Sequence, residues 1–460
     1  MQEVERSRGR KDAVDRDWTK GNVFHNLLSI SWPIVVGNSL NLLGPVVDMI
    51  WVAKLGAAAI AGVGVAGMTV MLITSARMGL SMGTRAIIAR FIGSGDTKGA
   101  IHAAQQYLVI NAIYSIAMAT IGVFFAEPIM GLFGLEADVV AEGAAYMRIQ
   151  FIGTITMSFR ILTETIMQAS GDTKTPMRIT VFYRILHASL APFLIFGWWI
   201  FPSLGVSGAA LTNVLSQGLG AAIGLWILFS GRSRLQLTMK NFSFDWAMIW
   251  RIVKIGIPAS IMNTERFFGD IVLMWFMSPF GTLAVAGHAL IQRIEAVLRM
   301  PSMGLGTAAG VLVGQNLGAK QPDRAAKSGW LAVILAQGLA VLICILILLW
   351  PEPIIRVFNS DPDVVAMASN FLRIGAAGYL FMGLYFVMQN AIAGSGDTMP
   401  PMLISLLNFW MVQIPLAFFL SRHTSLEVLG VRWAIVAGWI VGAAAYAIYF
   451  WKGRWKRKKV

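Results

Sequence analysis

Charged side chains are scarce in this sequence. Only 13% of its 460 residues are Asp, Glu, Lys or Arg and 57% are hydrophobic, whereas about 25% charged residues are usual in soluble proteins. A soluble chain of this length needs a polar surface that so few charges cannot supply. The composition therefore argues against a soluble enzyme, a nucleic-acid-binding module and a disordered chain. It indicates a polytopic membrane protein.

Cysteine and histidine are also rare. The single cysteine, Cys344, lies in an apolar run, so no disulfide can form within the chain. The five histidines, at positions 25, 102, 187, 288 and 423, are too scattered for a metal-binding set. An intramembrane enzyme is the alternative from another class, but the sequence has no His-Glu-x-x-His, Asp-Asp-x-x-Asp or phosphate-binding Gly-x₄-Gly-Lys-Ser/Thr motif. We expect no enzymatic activity, no cofactor and no bound metal other than a coupling ion.

Long hydrophobic runs recur along the chain. A bilayer core about 30 Å thick needs roughly 20 apolar residues per helix. The runs that meet this requirement are 27–50, 57–82, 101–125, 144–168, 177–200, 204–229, 252–277, 283–311, 329–350, 366–393, 400–420 and 431–451. The sequence therefore predicts an all-α integral membrane protein with twelve transmembrane helices.

Basic residues concentrate on one side of the predicted membrane. With the N-terminus inside, the inner stretches hold 25 Lys and Arg, and the outer stretches hold four: Lys54, Arg356, Arg422 and Arg432. Because Lys and Arg collect in cytoplasmic loops, we expect a multi-pass protein of the cell (inner or plasma) membrane with both termini in the cytoplasm. The basic run at 452–460 is interpreted as an anchor to anionic lipid. The net charge of +14 is explained by these loops and ends, so no nucleic-acid partner is expected.

Five pairs of residues repeat at a fixed distance of 225 positions. They are Pro33 and Pro258, Gly93 and Gly318, Glu127 and Glu352, Gly171 and Gly396, and Gly205 and Gly430. This offset predicts two six-helix bundles related by an internal duplication, with an axis along the membrane normal, as in parallel-repeat transporters. The predicted regions are a basic cytoplasmic arm at 1–26, bundles at 27–229 and 252–451, a cytoplasmic connector at 230–251, and a basic cytoplasmic tail at 452–460.

Two equivalent motifs precede the fifth and eleventh segments, Gln168-Ala-Ser-Gly-Asp-Thr-Lys-Thr-Pro-Met177 and Ala393-Gly-Ser-Gly-Asp-Thr-Met-Pro-Pro-Met402. We interpret both as tight turns that start a helix, because Gly and Asp suit the turn and Pro suits the first helical turn. These turns, Asp48-Met-Ile-Trp-Val-Ala-Lys-Leu-Gly56 and Val313-Gly-Gln-Asn-Leu-Gly-Ala319 resemble the multidrug and toxin extrusion (MATE) family. The resemblance implies a cation-coupled antiporter that exports amphipathic, often cationic compounds by rocking two six-helix bundles.

Asp48 is the strongest candidate for a coupling residue. It is an isolated carboxyl in an apolar segment, and such a residue indicates function by default because a charge in a membrane helix is costly. Burial raises the pKa of such a carboxyl, so it can bind and release a proton in the physiological range. The resemblance implies that an Asp at this motif position is the coupling carboxylate of the N-terminal half.

Three acids are candidates in the second half: Glu265, Asp270 and Glu295. Glu265 and Asp270 are five residues apart, so they project about 140° apart on a helix and are not expected to face one cavity together. Arg266 and Arg293 are possible ion-pair partners that would make one of the acids structural.

His187 and Asn213 complete the predicted site of the first half. Counted from the Gly-Asp turn, MATE proteins with a sodium-type site carry Asn and Asp on the fifth helix, where this chain has His187 and Ala191. The polar position of the sixth helix falls at Asn213. Loss of a carboxylate removes a hard oxygen ligand for Na⁺, and a histidine beside Asp48 suits proton transfer. We therefore expect H⁺ as the coupling ion, with Na⁺ as the alternative.

A lipid-linked oligosaccharide flippase of the same superfamily is the alternative function. A flippase would line its cavity with basic residues for pyrophosphate, and Arg77, Arg160 and Arg184 keep this possibility open. The expected partners are a small-molecule substrate, in particular an amphipathic organic cation, and the lipid bilayer. Nothing in the sequence signals oligomerisation, and we expect a monomer.

Overall fold

The computed structural model describes residues 17–134 and 136–460, so residues 1–16 of the predicted basic arm lie outside the described residues. Every regular element in the described part is helical. The helices are α1 Val23–Val52, α2 Ala57–Gly93, α3 Thr97–Gly131, α4 Ala137–Ile152, α5 Thr154–Ser170, α6 Lys174–Phe196, α7 Gly205–Phe229, α8 Trp246–Met277, α9 Thr282–Gly318, α10 Pro322–Leu349, α11 Pro351–Arg356, α12 Pro362–Gly394, α13 Met399–Leu407, α14 Ile414–Arg422 and α15 Val428–Lys452.

Ten helical stretches within the described residues are long and apolar enough to cross a membrane. The two other predicted segments are also helical, but neither is a continuous helix of low charge. The fourth segment is divided at Gly153 into α4 and α5, and the seventh, in α8, carries several charged residues. The all-α prediction is confirmed. Several helices extend beyond the predicted segments, α2 to Gly93 for example, because hydropathy detects the membrane core whereas a helix can continue into the polar headgroup region.

One predicted segment contains an irregular helix. Between α13 and α14, residues Asn408–Gln413 form a π-helical turn. Pro415, two residues after Gln413, has no N–H group to donate to the preceding turn. The loss of this bond accounts for the local widening of the helix.

The chain divides into two compact units. The first contains Trp18 and Val36–Lys254, and the second contains Thr19–Val35 and Ile255–Val460. The start of α1 thus packs with the second unit: a Cβ on Gly304 of α9 would lie 2.4 Å from the Val35 side chain. Arg324 Nη2 also donates to the Lys20 carbonyl at 2.8 Å.

Each unit has its own apolar core. In the first unit, Val52, Met147, Phe151 and Ile195 are almost fully buried in one cluster. In the second unit, the corresponding cluster contains the residues Leu273, Met277, Phe409, Val431 and Ile435. Outside these clusters, many large apolar side chains face outward, as expected of helices whose surroundings are lipid.

The two Gly-Asp motifs form the turns that the sequence predicts. Gly171 and Gly396 have φ values of +93° and +89°, which glycine adopts without a steric penalty. Asp172 Oδ1 accepts a hydrogen bond from the Thr175 amide at 3.1 Å, and helix α6 starts at once. These residues therefore have the structural role that we assigned to them.

The segment after the last helix of each unit attaches to that unit's own turn. In the first unit, Ser233 Oγ donates to Asp172 Oδ2 at 3.2 Å. In the second, Lys458 Nζ lies 3.1 Å from Asp397 Oδ1. Lys458 follows Ser233 by 225 positions, and Asp397 follows Asp172 by the same number. The two contacts therefore obey the repeat.

The basic run at 452–460 does not lie wholly against lipid, contrary to our expectation. Trp455 is fully buried and stacks on Phe450 with ring centroids 4.5 Å apart. Lys456 Nζ lies 3.1 Å from Asp323 Oδ1, and Lys458 pairs with Asp397. The aromatic ring and the two acids fix the run to the protein; the sequence shows its positive charge but not these internal partners.

Candidate functional site

Asp48 and His187 meet inside the first unit. His187 Nε2 of α6 lies 3.1 Å from Asp48 Oδ1 of α1, and the two side chains are 1% and 5% exposed. The contact has the distance of an ion pair but not the direction of a hydrogen bond, and neither atom has another hydrogen-bond partner within the described residues. One turn further along each helix, Val52 and Ala191 are fully buried in the apolar core. The pair is thus a polar contact in an apolar environment.

A polar contact one to two turns away joins the same two helices. The Tyr183 hydroxyl donates to Asn41 Oδ1, and Arg184 Nη2 donates to the Asn41 carbonyl at 3.2 Å and to Oδ1 at 3.1 Å. A Cβ on Gly44 would lie 1.9 Å from Arg184 Nη1, so the glycine makes room for the guanidinium. Asn41, Gly44 and Asp48 are spaced along one face of α1. We did not single out Asn41 from the sequence, although an amide in an apolar segment is the signal for it.

Asn213 belongs to a different network. Its Oδ1 accepts a hydrogen bond from Gln217, whose Oε1 accepts from Arg160 Nε at 3.1 Å. Arg160 Nη1 also pairs with Glu164 Oε2 at 2.9 Å. Within the described residues, no hydrogen bond joins Asn213 to Asp48. The structure thus brings together two of the three residues predicted for this half and places the third on a network around the Arg160–Glu164 ion pair.

The second unit contains a polar cavity of about 90 Å³. All three predicted acids line it. The side chains that surround it include both charges, amides and aromatic rings: Glu265, Arg266, Asp270, His288, Gln292, Glu295, Arg299, Tyr385, Ser405, Asn408, Gln413 and Trp439. Its volume is well below the about 300–1,000 Å³ of a drug-binding pocket. In this conformation it has room for a few waters or a small ion.

The expectation that Glu265 and Asp270 cannot face one cavity is wrong. Both line it, together with Arg266, Gly269 and Leu273 of the same helix. These five positions cover an arc of roughly 140° of α8. The helix therefore forms a broad wall of the cavity, and residues at the two edges of the wall both reach it.

The three acids differ in their partners. Glu295 Oε1 is 2.5 Å from Arg432 Nη2 and accepts a hydrogen bond from the Tyr379 hydroxyl at 3.0 Å. Glu265 Oε2 accepts a hydrogen bond from Ser405 Oγ at 2.5 Å. Asp270 has neither a hydrogen bond nor an ion pair with any described residue. Glu295 is thus held in a buried ion pair, and Asp270 is the least constrained.

The partners that we expected for these acids are wrong. Arg266 donates to Gln389 Oε1 at 3.2 Å, and Arg293 is exposed. The partner is instead Arg432, 1% exposed, which we counted among the outer basic residues because it stands at the start of a predicted segment. Sequence spacing cannot reveal this pair, because 137 positions separate Glu295 from Arg432.

Neither a serine-hydrolase site nor a metal-binding cluster is found in the described residues. Gly79-Leu-Ser-Met-Gly83 matches the Gly-x-Ser-x-Gly pattern of serine hydrolases but lies inside α2, where Ser81 Oγ donates to the Met78 carbonyl at 2.9 Å. A nucleophile elbow needs a strand-to-helix turn instead. Within the described residues, no group of three or more His, Cys, Asp or Glu side chains could hold a metal ion.

Twelve predicted spans in two repeats, with buried ion pairs in spanning helices, are typical of a membrane transporter. The MatE family model matches residues 33–193 and 258–419, which together make up more than half of the chain. The two matches begin 225 positions apart, in agreement with the repeat. The chain therefore belongs to the MATE family, and the resemblance inferred from its motifs is confirmed.

Known proteins of similar sequence cover almost the whole chain. It is 28% identical over 449 residues to the probable multidrug resistance protein YpnP of Bacillus subtilis (strain 168), covering 96% of this chain and 98% of that protein. It is 25% identical over 391 residues to the FAD transporter of Shewanella oneidensis, covering 85% and 86%. The crystal structure of the Vibrio cholerae MATE transporter VcmN in the bent form has a TM-score of 0.87 at 22% identity, covering 94% and 97%. This last similarity shows a shared fold.

Proposed function

We propose that this protein is a proton-coupled antiporter that exports amphipathic, often cationic compounds from the cytoplasm by alternating access. The observation that carries the proposal is the buried contact between Asp48 and His187, 3.1 Å apart. Family membership and the name of YpnP support multidrug compounds as the substrate class. The Shewanella relative is named as a transporter of FAD, which is an anion, so an anionic substrate is the alternative class.

The composition of the Asp48 site favours H⁺ over Na⁺. Na⁺ is held by several oxygen ligands, usually including carboxylates. Ala191 stands where sodium-type members of the family carry an acid, and it is fully buried in the apolar core. His187 supplies no oxygen ligand for Na⁺, and an imidazole is a side chain suited to proton transfer. An Asp–His pair can take up and release a proton with only small movements of the two side chains.

The proposed cycle makes the proton and a cationic substrate compete for Asp48. A proton bound from the outside neutralises the carboxylate and weakens its attraction for the cation. Its release to the cytoplasm restores the charge and favours reloading. The two ligands therefore occupy the site in turn, and each lowers the affinity for the other by the same factor.

Transport by purified protein in liposomes tests the coupling ion. Exchange of one proton for one monovalent cation moves no net charge, so the membrane potential, worth about 2.3 kcal/mol per charge per 100 mV, should not drive it. A pH difference of one unit supplies about 1.4 kcal/mol and should support roughly a tenfold substrate gradient. We expect accumulation of ethidium under a pH gradient without Na⁺. Accumulation only under a Na⁺ gradient would contradict the proposal and point to Glu265, Asp270 and Glu295.

The Asp48→Asn variant tests the site itself. The amide has nearly the size of the carboxyl but cannot carry the proton, so we expect normal expression and loss of pH-driven accumulation. Asp270→Asn is the comparison in the other unit: it removes a half-buried carboxylate from a spanning helix without touching the Asp48–His187 contact, and it should keep pH-driven accumulation if coupling depends on Asp48 and not on the second-unit acids. Wild-type accumulation by Asp48→Asn would refute the role of Asp48.

Engineered cysteines test alternating access and topology. In a Cys344→Ala background, one cysteine near residue 54 and one near residue 279 mark the predicted outer ends of the first and seventh segments. Labelling by a membrane-impermeant maleimide in intact cells should reach both positions, whereas a cysteine at 232 should react only after permeabilisation. If the two outer cysteines cross-link, transport should stop and resume on reduction. Full transport with a complete cross-link would exclude the rocking mechanism.

A further inference from the structure

The buried arginine Arg77 of α2 has no partner for its charge. It is 1% exposed, and none of its three guanidinium nitrogens has a hydrogen-bond acceptor within the described residues. A buried guanidinium is costly unless its N–H groups are bonded and its charge is balanced. The described residues thus supply the Arg77 guanidinium with no hydrogen-bond acceptor.

The nearest carboxylate cannot supply the missing charge. Glu164 of α5 lies within electrostatic range of Arg77. Its Oε2 is 2.9 Å from Arg160 Nη1, however, and its Oε1 accepts a hydrogen bond from Gln168 Nε2 at 2.9 Å. Arg160 thus already neutralises Glu164, and because Arg85 also lies within electrostatic range of Glu164, the cluster keeps an excess of positive charge. Water can satisfy N–H groups, but it cannot balance this charge.

The neighbouring face of α3 offers further donors. Tyr107 and Tyr114 are both within electrostatic range of the Arg77 guanidinium. They are seven positions apart on α3, and Asn111 stands between them on the same face. The Asn111 amide, 2% exposed, has no hydrogen-bond partner on either its nitrogen or its oxygen. The Tyr114 hydroxyl donates to the Ile73 carbonyl at 3.1 Å, one turn before Arg77, which holds α2 and α3 together at this level.

The repeat shows that the fold does not need these polar groups. The positions 225 residues after Arg77, Tyr107 and Asn111 are Ser302, Ala332 and Ala336. The second unit packs its equivalent helices with small side chains there, all three of them buried. The arginine, the phenol and the amide are thus additions of the first unit alone.

We propose that Arg77, with the Tyr107 hydroxyl and the Asn111 amide from one face of the neighbouring helix α3, binds a small inorganic anion of the chloride class inside the first unit. Such an anion accepts hydrogen bonds from N–H and O–H groups on all sides and balances the charge of Arg77. The site is separate from the Asp48–His187 contact and does not depend on the proposed proton coupling. Arg77 is 1% exposed in this conformation, so we expect the anion to be a resident ligand, and the test includes the charged group of a transported compound as the competing outcome.

Thermal unfolding of the purified full-length protein tests the site with chloride as the probe. We expect its Tm to rise and saturate as sodium chloride replaces sodium gluconate at constant ionic strength, because a ligand that binds only the folded state stabilises it. Arg77→Gln should abolish the rise. Arg184→Gln, which removes a half-buried arginine bonded to Asn41, is the control and should retain the rise.

A second measurement needs no variant. Crystals of the wild-type protein soaked in sodium bromide should show an anomalous peak beside the Arg77 guanidinium. Equal Tm values in chloride and gluconate, with no such peak, would overturn the proposal and leave water as the only ligand. Stabilisation by inorganic phosphate or AMP but not by chloride or bromide would also overturn it, since the site would then serve an anionic substrate group.

Discussion

The three acids of the second-unit cavity should differ in what they contribute to stability. The perturbation is the replacement of each by its amide: Glu295→Gln, Glu265→Gln and Asp270→Asn. Each exchange removes a charge and keeps the size of the side chain, so the differences report the partners of each carboxylate. Glu295 forms a buried ion pair, Glu265 accepts a hydrogen bond from one hydroxyl, and Asp270 has no partner among the described residues.

The expected magnitudes follow from the partners. Glu295→Gln leaves the Arg432 guanidinium buried without a counter-charge, which costs about 3–5 kcal/mol. Glu265→Gln weakens one charge-assisted hydrogen bond from Ser405, which costs about 1 kcal/mol because the amide oxygen still accepts. Asp270→Asn removes a half-buried charge that has no partner, so stability should stay within about 0.5 kcal/mol or rise.

The assay is thermal unfolding in detergent at pH 7, with tryptophan fluorescence as the readout. A cost of about 3–5 kcal/mol corresponds to a Tm lower by about 6–20 °C for a unit of this size. In a double-mutant cycle, Glu295→Met with Arg432→Met should cost less than Arg432→Met alone, since no charge then remains unpaired. If Asp270→Asn destabilises as much as Glu295→Gln, or if the two methionine exchanges add, the structural role of the pair is refuted.

Three further predictions concern Gly396, Trp455 and Asp245. Gly396→Ala should lower the Tm, because its φ of +89° costs an alanine about 1–2 kcal/mol and the new Cβ would lie 2.2 Å from Val460; Gly131→Ala, which has open space, is the control and should change little. Trp455→Ala should cost about 3–5 kcal/mol by emptying its buried site, and an unchanged Tm would show that the ring is dispensable. The contact with His102 lowers the pKa of Asp245 below its usual 3.8, so Asp245 stabilises the fold above that pH and this effect fades as the pH falls through the lower pKa. The Tm loss of Asp245→Asn should therefore be visible at pH 7 and absent in strong acid; a loss that is equal at both pH values would contradict this.

Much of the fold could be predicted from the sequence because its signals are local. A span is a run of apolar residues, and a repeat is a set of identities at one offset, here 225. Both signals can be recognised without knowledge of any contact between distant residues. The exceptions are also local in origin: Gly153 interrupts the fourth segment, and Pro415 adjoins the widened turn at Asn408–Gln413.

The site was less predictable because it depends on pairs of distant residues. His187 could be placed near Asp48 by counting from the Gly-Asp turn, and the structure brings the two together. Arg432 could not be assigned to Glu295, because a charge at the start of a span is typical of a loop residue near the headgroups. Asn213 has the expected residue type, but its Oδ1 accepts a hydrogen bond from Gln217 on its own helix.

The equivalent attachments at Asp172 and Asp397 bear on how the two copies came to be one chain. A tandem fusion of identical six-helix proteins turns the segment after the sixth helix into a connector in the first copy and leaves it beyond the last helix in the second. Ser233 and Lys458 occupy the same place in these two segments, and each holds the turn of its own copy. Neither copy borrows this attachment from the other. An unfused ancestor of six helices would thus already have had the means to close its own turn, and the fusion would have required no new contact there.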